Sequence, residues 1–180
     1  MRFHDVKRHL KPYKIFQQRR TTINHAIASA IAPSDEYDPE AVAEAMRHLG
    51  QNPEEPLNCV YCGNPAETWD HVVATVKKSQ FSGAGHRLGN LLPCCKPCNS
   101  KKGNKDWKNY ILQLNLTDTV RNERMDKIER HLARYFVRDE IPETIAEYSE
   151  LISLQSQILA LLQKADEVAD SLRRKLKQMD

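Results

Sequence analysis

The stretch CVYCGNPAETWDHVVATVKKSQFSGAGHRLGNLLPCCKPCNSKKG, residues 59–103, decides what kind of fold this chain can make. It opens on Cys59-Val60-Tyr61-Cys62 and closes around Cys95-Lys96-Pro97-Cys98. Each Cys-x2-Cys knuckle presents two thiolates from one tight turn, and four thiolates from two such turns can close a tetrahedral structural zinc site. One pair at this spacing is shared with redox dithiols; two in one short unit predict a metal. Cys94 could replace Cys95 in a Cys-x3-Cys pairing, and Cys95 is the expected ligand. The 32 residues between Cys62 and Cys95 are more than a simple zinc ribbon uses, so something besides the clip is held between the knuckles. Regular hydrophobic periodicity fails from Leu57 to about Leu116, as in a small unit organised by metal rather than by a large core.

Outward from that unit the pattern turns helical. Ile23, Ile27 and Ile31, at steps of four, predict an amphipathic helix over 16–32 that ends at Pro33. Asp38 as N-cap, Pro39 at the first helical position and Gly50 as stop bracket a second helix. Past the unit, Met125, Ile128, Leu132 and Tyr135 mark a helix that stops before Pro142. A last helix carries Tyr148, Leu151, Gln155, Ile158, Leu162, Ala165, Ala169, Leu172, Leu176 and Met179 at steps of three and four. That is a coiled-coil seam, in which Gln155 is a register-setting polar residue. The seam predicts self-association into a homodimer; antiparallel packing on the chain's own helix at 118–138 is the other use for it. Three segments are expected: an N-terminal basic arm with helices (1–56), the zinc unit (57–115) and C-terminal helices (116–180).

At 180 residues the chain is too short for two large domains. With 40% hydrophobic and 28% charged residues it is neither disordered nor collagen-like. No apolar run approaches the roughly 20 residues that span a bilayer, and no stretch of signal-peptide length opens the sequence, so the expectation is a cytoplasmic protein without a membrane segment. The net charge of +3 hides its distribution: residues 1–20 carry seven Lys/Arg against one acid, 21–56 one against seven, and 57–115 eight against three. Two basic segments separated by an acidic one predict a polyanionic partner touched at two places.

Between and just after the knuckles, Trp69-Asp70-His71-Val72-Val73, Gly83, Gly85, Gly89-Asn90-Leu91-Leu92-Pro93 and Cys98-Asn99-Ser100-x-Lys102-Gly103 follow in order. Together with the knuckles they resemble the HNH endonuclease family in its four-cysteine zinc subtype. His71 and Asn90 stand at the first two motif positions; Asn99 stands at the third, where many members have His. The resemblance covers about residues 57–108. It implies an α+β protein: a small zinc-stapled ββα-metal core flanked by N-terminal helices and a C-terminal helical, coiled-coil extension.

Phosphodiester hydrolysis needs a base for water, a cation for charge building on the phosphate, and a proton source for the leaving oxygen. His71 is the candidate base, since its pKa range suits neutral pH. Asp70 and the Asn99 amide oxygen are hard donors suited to magnesium or manganese. Asn90, by resemblance, constrains the loop that carries His71. Asn99 has an ordinary alternative as the cap of the helix after Cys98. His86, in a loop, could contact phosphate or the metal.

Lys101, Lys102, Lys105 and Lys108 follow the third motif position and, with Arg87, would supply sequence-independent attraction to a phosphate backbone. The expected function is therefore a metal-dependent endonuclease on double-stranded DNA. Pairing through the last helix would present two sites to opposite strands, as a restriction-type enzyme needs. The competing reading is a non-catalytic, zinc-organised nucleic-acid-binding module with a coiled-coil partner helix.

Overall fold

The computed structural model of the protein describes residues 2–142 and 144–179, the side chain of Arg8 excepted. It contains helices α1 (Ile15–Ile31), α2 (Pro39–His48), α3 (Lys96–Lys102), α4 (Trp107–Leu112), α5 (Asp118–Tyr135) and α6 (Ala146–Leu176). The strands are β1 (Thr68–His71), β2 (Val76–Lys77), β3 (Gln80–Phe81) and β4 (Leu91–Cys94). Two compact units emerge: Ala28–Glu140, and Met1–Ile27 joined to Ile141–Asp180. These are not the three consecutive segments expected from the sequence. The reason is apolar burial: Ala45, Met46 and Leu49 after α2's first turns, and Ile128 of α5, share one core with Tyr61, Val72, Leu92 and Ile111.

Within Ala28–Glu140, β1 and β4 pair antiparallel in the register Thr68↔Cys94, Trp69↔Pro93, Asp70↔Leu92, His71↔Leu91. Alternation along β1 sends Asp70 inward and leaves Trp69 exposed. A turn of 3-10 helix, Leu88–Asn90, delivers the chain into β4, and α3 follows at once with Cys95 as N-cap. α3 packs on β1, which completes a ββα arrangement. Asn99 thus lies inside α3 rather than capping it. Lys102 ends that helix, Lys105 sits in the turn after it, and Lys108 belongs to α4. Asp38, Asp106 and Thr117 cap α2, α4 and α5 through their side-chain oxygens.

In the other unit the seam helix finds a partner within the chain, and that partner is α1, not the helix at 118–138. Asp166 accepts the backbone N–H groups of Ile15 and Phe16 at 2.7 and 3.0 Å, capping α1 from α6. Lys14 pairs with Asp170 at 2.6 Å, and the Gln155 amide donates to Asn24 Oδ1 at 2.9 Å between two buried side chains. These contacts run antiparallel. Gln155 sets register, as a seam amide does, but against an asparagine of the same chain. The C-terminal end of the sequence seam, Leu172, Leu176 and Met179, remains exposed, as do Leu154, Leu161 and Val168 outside the seam.

Candidate active site and metal centre

The Sγ atoms of Cys59, Cys62, Cys95 and Cys98 lie within 4.8 Å of one another. Chemistry and spacing of the four thiols fit a tetrahedral zinc ion. Burial pushes the thiols of Cys62 and Cys98 up, which is the state a dication among four sulfurs reverses. Cys94 stays outside the set. It is fully buried on β4, its Sγ 3.9 Å from that of Cys59 and 3.3 Å from the Cys95 carbonyl oxygen. The clip joins the loop before β1 to the start of α3, so it ties together the start of β1 and the end of β4, the Thr68–Cys94 end of the pair.

Asp70 is 3% exposed and both its oxygens are engaged. Tyr61, from inside the first knuckle, donates its hydroxyl to Oδ2 at 2.6 Å. The ammonium of Lys102 stands 3.0 Å from Oδ2 and 3.3 Å from Oδ1, and also donates to the His71 carbonyl at 2.8 Å. Burial pushes the Asp70 carboxyl above its usual range, with Lys102 and Tyr61 pulling the other way. The phenol of Tyr61 rises for the matching reasons, burial first and Asp70 second. Lys102 itself is 1% exposed, so the expectation that it grips a phosphate backbone is corrected: reach to Asp70 across α3 draws its side chain inward.

His71, the last residue of β1, is half-buried. Burial, then His86, then Lys102 lower its pKa to about 4, which keeps the ring neutral at neutral pH but sets it below the range expected of the base from the sequence. Its Nε2 lies 2.8 Å from Nδ1 of His86, with the ring planes at 69°. The Asn99 amide nitrogen donates to the Trp69 carbonyl at 3.3 Å, which leaves its oxygen available beside β1. Asn90 is 1% exposed and ties the loop after β1 at both ends: Oδ1 accepts from Val73 N at 2.9 Å, and Nδ2 donates to Val73 O and Gly85 O at 3.0 and 3.1 Å.

For a catalytic cation the donor chemistry fits hard ions, one carboxylate and one amide oxygen near a shared strand, with one obstacle. Lys102 already supplies the positive charge at Asp70, so a cation there requires the ammonium to give way.

The other basic residues divide. Lys101 and Lys105 are exposed beside the site. Lys108 reaches Glu129 and lies over the Trp107 ring. Arg87 is drawn off by acids: its guanidinium makes paired bonds to Asp139 and one to Asp35, so it straps the fold. Sequence reasoning left out Tyr61, hidden between two cysteines, and offered His86 to phosphate or metal, whereas the structure sets it against the His71 ring. Their signal was proximity to the motif, and nothing in the spacing says which loop residue folds back.

The four cysteines, the β1–β4 pair and α3 form one unit that ends its first strand on a half-buried histidine. The family model described as HNH endonuclease matches residues 59–105, and the chain carries an HNH endonuclease domain there. That domain ties the protein to nucleic-acid chemistry. No curated protein and no solved structure matches the chain. Among the described residues no helix is long and apolar enough to cross a membrane.

Proposed function

We propose that the protein is a metal-dependent endonuclease that hydrolyses DNA phosphodiester bonds in one step. His71 takes the proton of the attacking water, and Asn90 holds the loop behind it. Asp70 and Asn99 hold a magnesium or manganese ion, with Lys102 releasing the carboxylate to it. When bound, that ion neutralises charge on the phosphate and favours departure of the leaving oxygen. Lys101, Lys105 and Lys108 attract the backbone, and zinc on the four cysteines staples the frame. The observation that carries this reading is the half-buried His71 at the end of the first strand of a four-cysteine ββα unit.

A finer reading is a restriction-type enzyme acting on both strands as a dimer. The exposed face of α6 supports it. Exposed Leu154, Leu161, Val168 and Leu172 alternate with half-buried Ile158 and Ala165 at steps of four and three along it. Glu147 and Glu150 lie at one end of the helix and Arg174 and Lys175 at the other, which suits an antiparallel second copy. The locked Asp70 favours the alternative, a zinc-organised binding module without catalysis. Incubating the purified protein with supercoiled plasmid and magnesium or manganese separates the two. Nicking that disappears in His71→Ala while DNA binding persists supports the enzyme; inertness with every metal and substrate supports the module.

A further inference from the structure

The loop that reaches His71 is built from the opposite side of its unit. Gly85 backs onto the segment between α1 and α2, where a Cβ would lie 2.3 Å from the Pro33 carbonyl oxygen, so a side chain at this position has no room. The close approach is used at once. His86 N–H donates to that same oxygen at 2.7 Å, and Ser34 forms a parallel bridge with His86. One residue back, Gly85 O is held by Asn90; one residue on, Arg87 is clamped by Asp139 and Asp35. The His86 ring is therefore placed by backbone and ion-pair anchors that need no ligand, with its centroid 4.9 Å from that of His71.

A neutral imidazole carries one N–H and one lone pair, and the bond made at one nitrogen decides which stands at the other. With the proton on His71 Nε2 and donated to His86 Nδ1, His71 Nδ1 keeps its lone pair. Among the described residues no hydrogen bond occupies that Nδ1. The reverse tautomer protonates Nδ1 and spends the one lone pair, at Nε2, on the bond to His86.

We propose that His86 is the positioning residue for His71: its Nδ1 accepts the His71 Nε2 proton and holds that ring in the tautomer and rotamer whose Nδ1 can deprotonate water. This rests on His71 being the base, as read above. The water proton passes to Nδ1, while the Nε2 proton stays in the bond to His86.

The test uses the full chain, loaded with zinc, at pH 7.5. Asn at 86 offers an acceptor oxygen close to where Nδ1 stands; Leu keeps bulk and offers none. In single-turnover nicking of supercoiled plasmid with magnesium, His86→Leu is expected to lose ~10–100-fold in rate, the size of effect seen when a group that orients a functional imidazole is removed. His86→Asn stays within about threefold of the wild type, and melting temperature and DNA affinity match the wild type in both variants. Equal rates for His86→Leu and wild type overturn the proposal. So does a His86→Asn variant as slow as His86→Leu.

Nitrogen-15 NMR of histidine-labelled protein reads the tautomer without cleavage. His71 is expected as the Nε2–H form in wild type and His86→Asn, and as a mixture in His86→Leu. An Nδ1–H form in the wild type overturns the proposal whatever the activity. A wild type that never cleaves, yet shows the Nε2–H form lost in His86→Leu, sinks the nuclease reading and upholds the ring pair.

Discussion

Replacing Lys102 with Met asks whether this lysine serves the fold or the substrate. Its ammonium is the partner of a carboxylate only 3% exposed, at 3.0 Å, and it also satisfies the His71 carbonyl at 2.8 Å. Met fills most of the same channel but leaves Asp70 with the Tyr61 hydroxyl alone. Breaking a buried ion pair from one side costs about 3–5 kcal/mol, because the remaining charge is left without compensation. The carboxyl can escape by taking a proton, at about 1.4 kcal/mol for each pH unit above its ordinary pKa near 4, which at pH 7.5 comes to ~5 kcal/mol. Both routes give the same scale.

The assay is denaturant unfolding of the zinc-loaded protein followed by tryptophan fluorescence. Trp69 and Trp107 are the chain's two tryptophans, and both belong to Ala28–Glu140, so the signal reports that unit. The companion measurement is DNA affinity against salt concentration. A lysine on phosphate contributes about 0.9 to the logarithmic slope, and a buried one contributes none. A Lys102→Met protein as stable as the wild type, with a salt slope lower by about one, would refute the structural role and return Lys102 to the DNA surface.

Other outcomes follow from the same geometry. Cys98→Ser, or prolonged chelation, should cost the Ala28–Glu140 unit its cooperative unfolding transition, since small zinc sites supply roughly 10 kcal/mol or more; a sharp transition in zinc-free protein contradicts this. His131 is fully buried with neither ring nitrogen hydrogen-bonded among the described residues, and burial lowers its pKa from 6.5 to about 4. Its folded pKa lies below the unfolded one. The stability it confers is therefore complete above pH 6.5 and drains as pH falls toward 4, by about 3 kcal/mol in all. His131→Leu should flatten that part of the pH dependence relative to wild type, the acid loss of zinc being common to both, and parallel curves would count against it. On α6, Leu161→Glu with Val168→Glu should convert a dimer to a monomer by light scattering with the helix content unchanged; a wild type already monomeric removes the dimer reading.

Much of the site was legible because it is local chemistry. Two knuckles announce a metal from spacing alone, and the order Asp70-His71, Asn90, Asn99 brings the nuclease resemblance with it. Asp38 before Pro39 and Gly50 bounded α2 without help, since capping and a positive φ of 75° at Gly50 are decided within a few residues. What the seam of α6 packs on was not legible. Its period is right for any apolar partner, and it takes Asn24 opposite Gln155, together with Asp166 at the start of α1, to select one.

The one-dimensional pattern determined the thiolate clip, the presence of long helices and the residue types at the candidate site, because each is fixed by spacing or by side-chain chemistry. Folding decided which charges are spent on the fold. Lys102 turns inward to Asp70 and Arg87 closes on Asp139 and Asp35, since a charged group beside a buried opposite charge is worth more there than in water. Folding also explains the glycines. At Gly89 a Cβ would meet the Tyr135 carbonyl at 2.1 Å, and at Gly85 the Pro33 carbonyl at 2.3 Å. Both contacts join residues far apart in the chain, which no local pattern can report, and the second of them sets His86 beside His71.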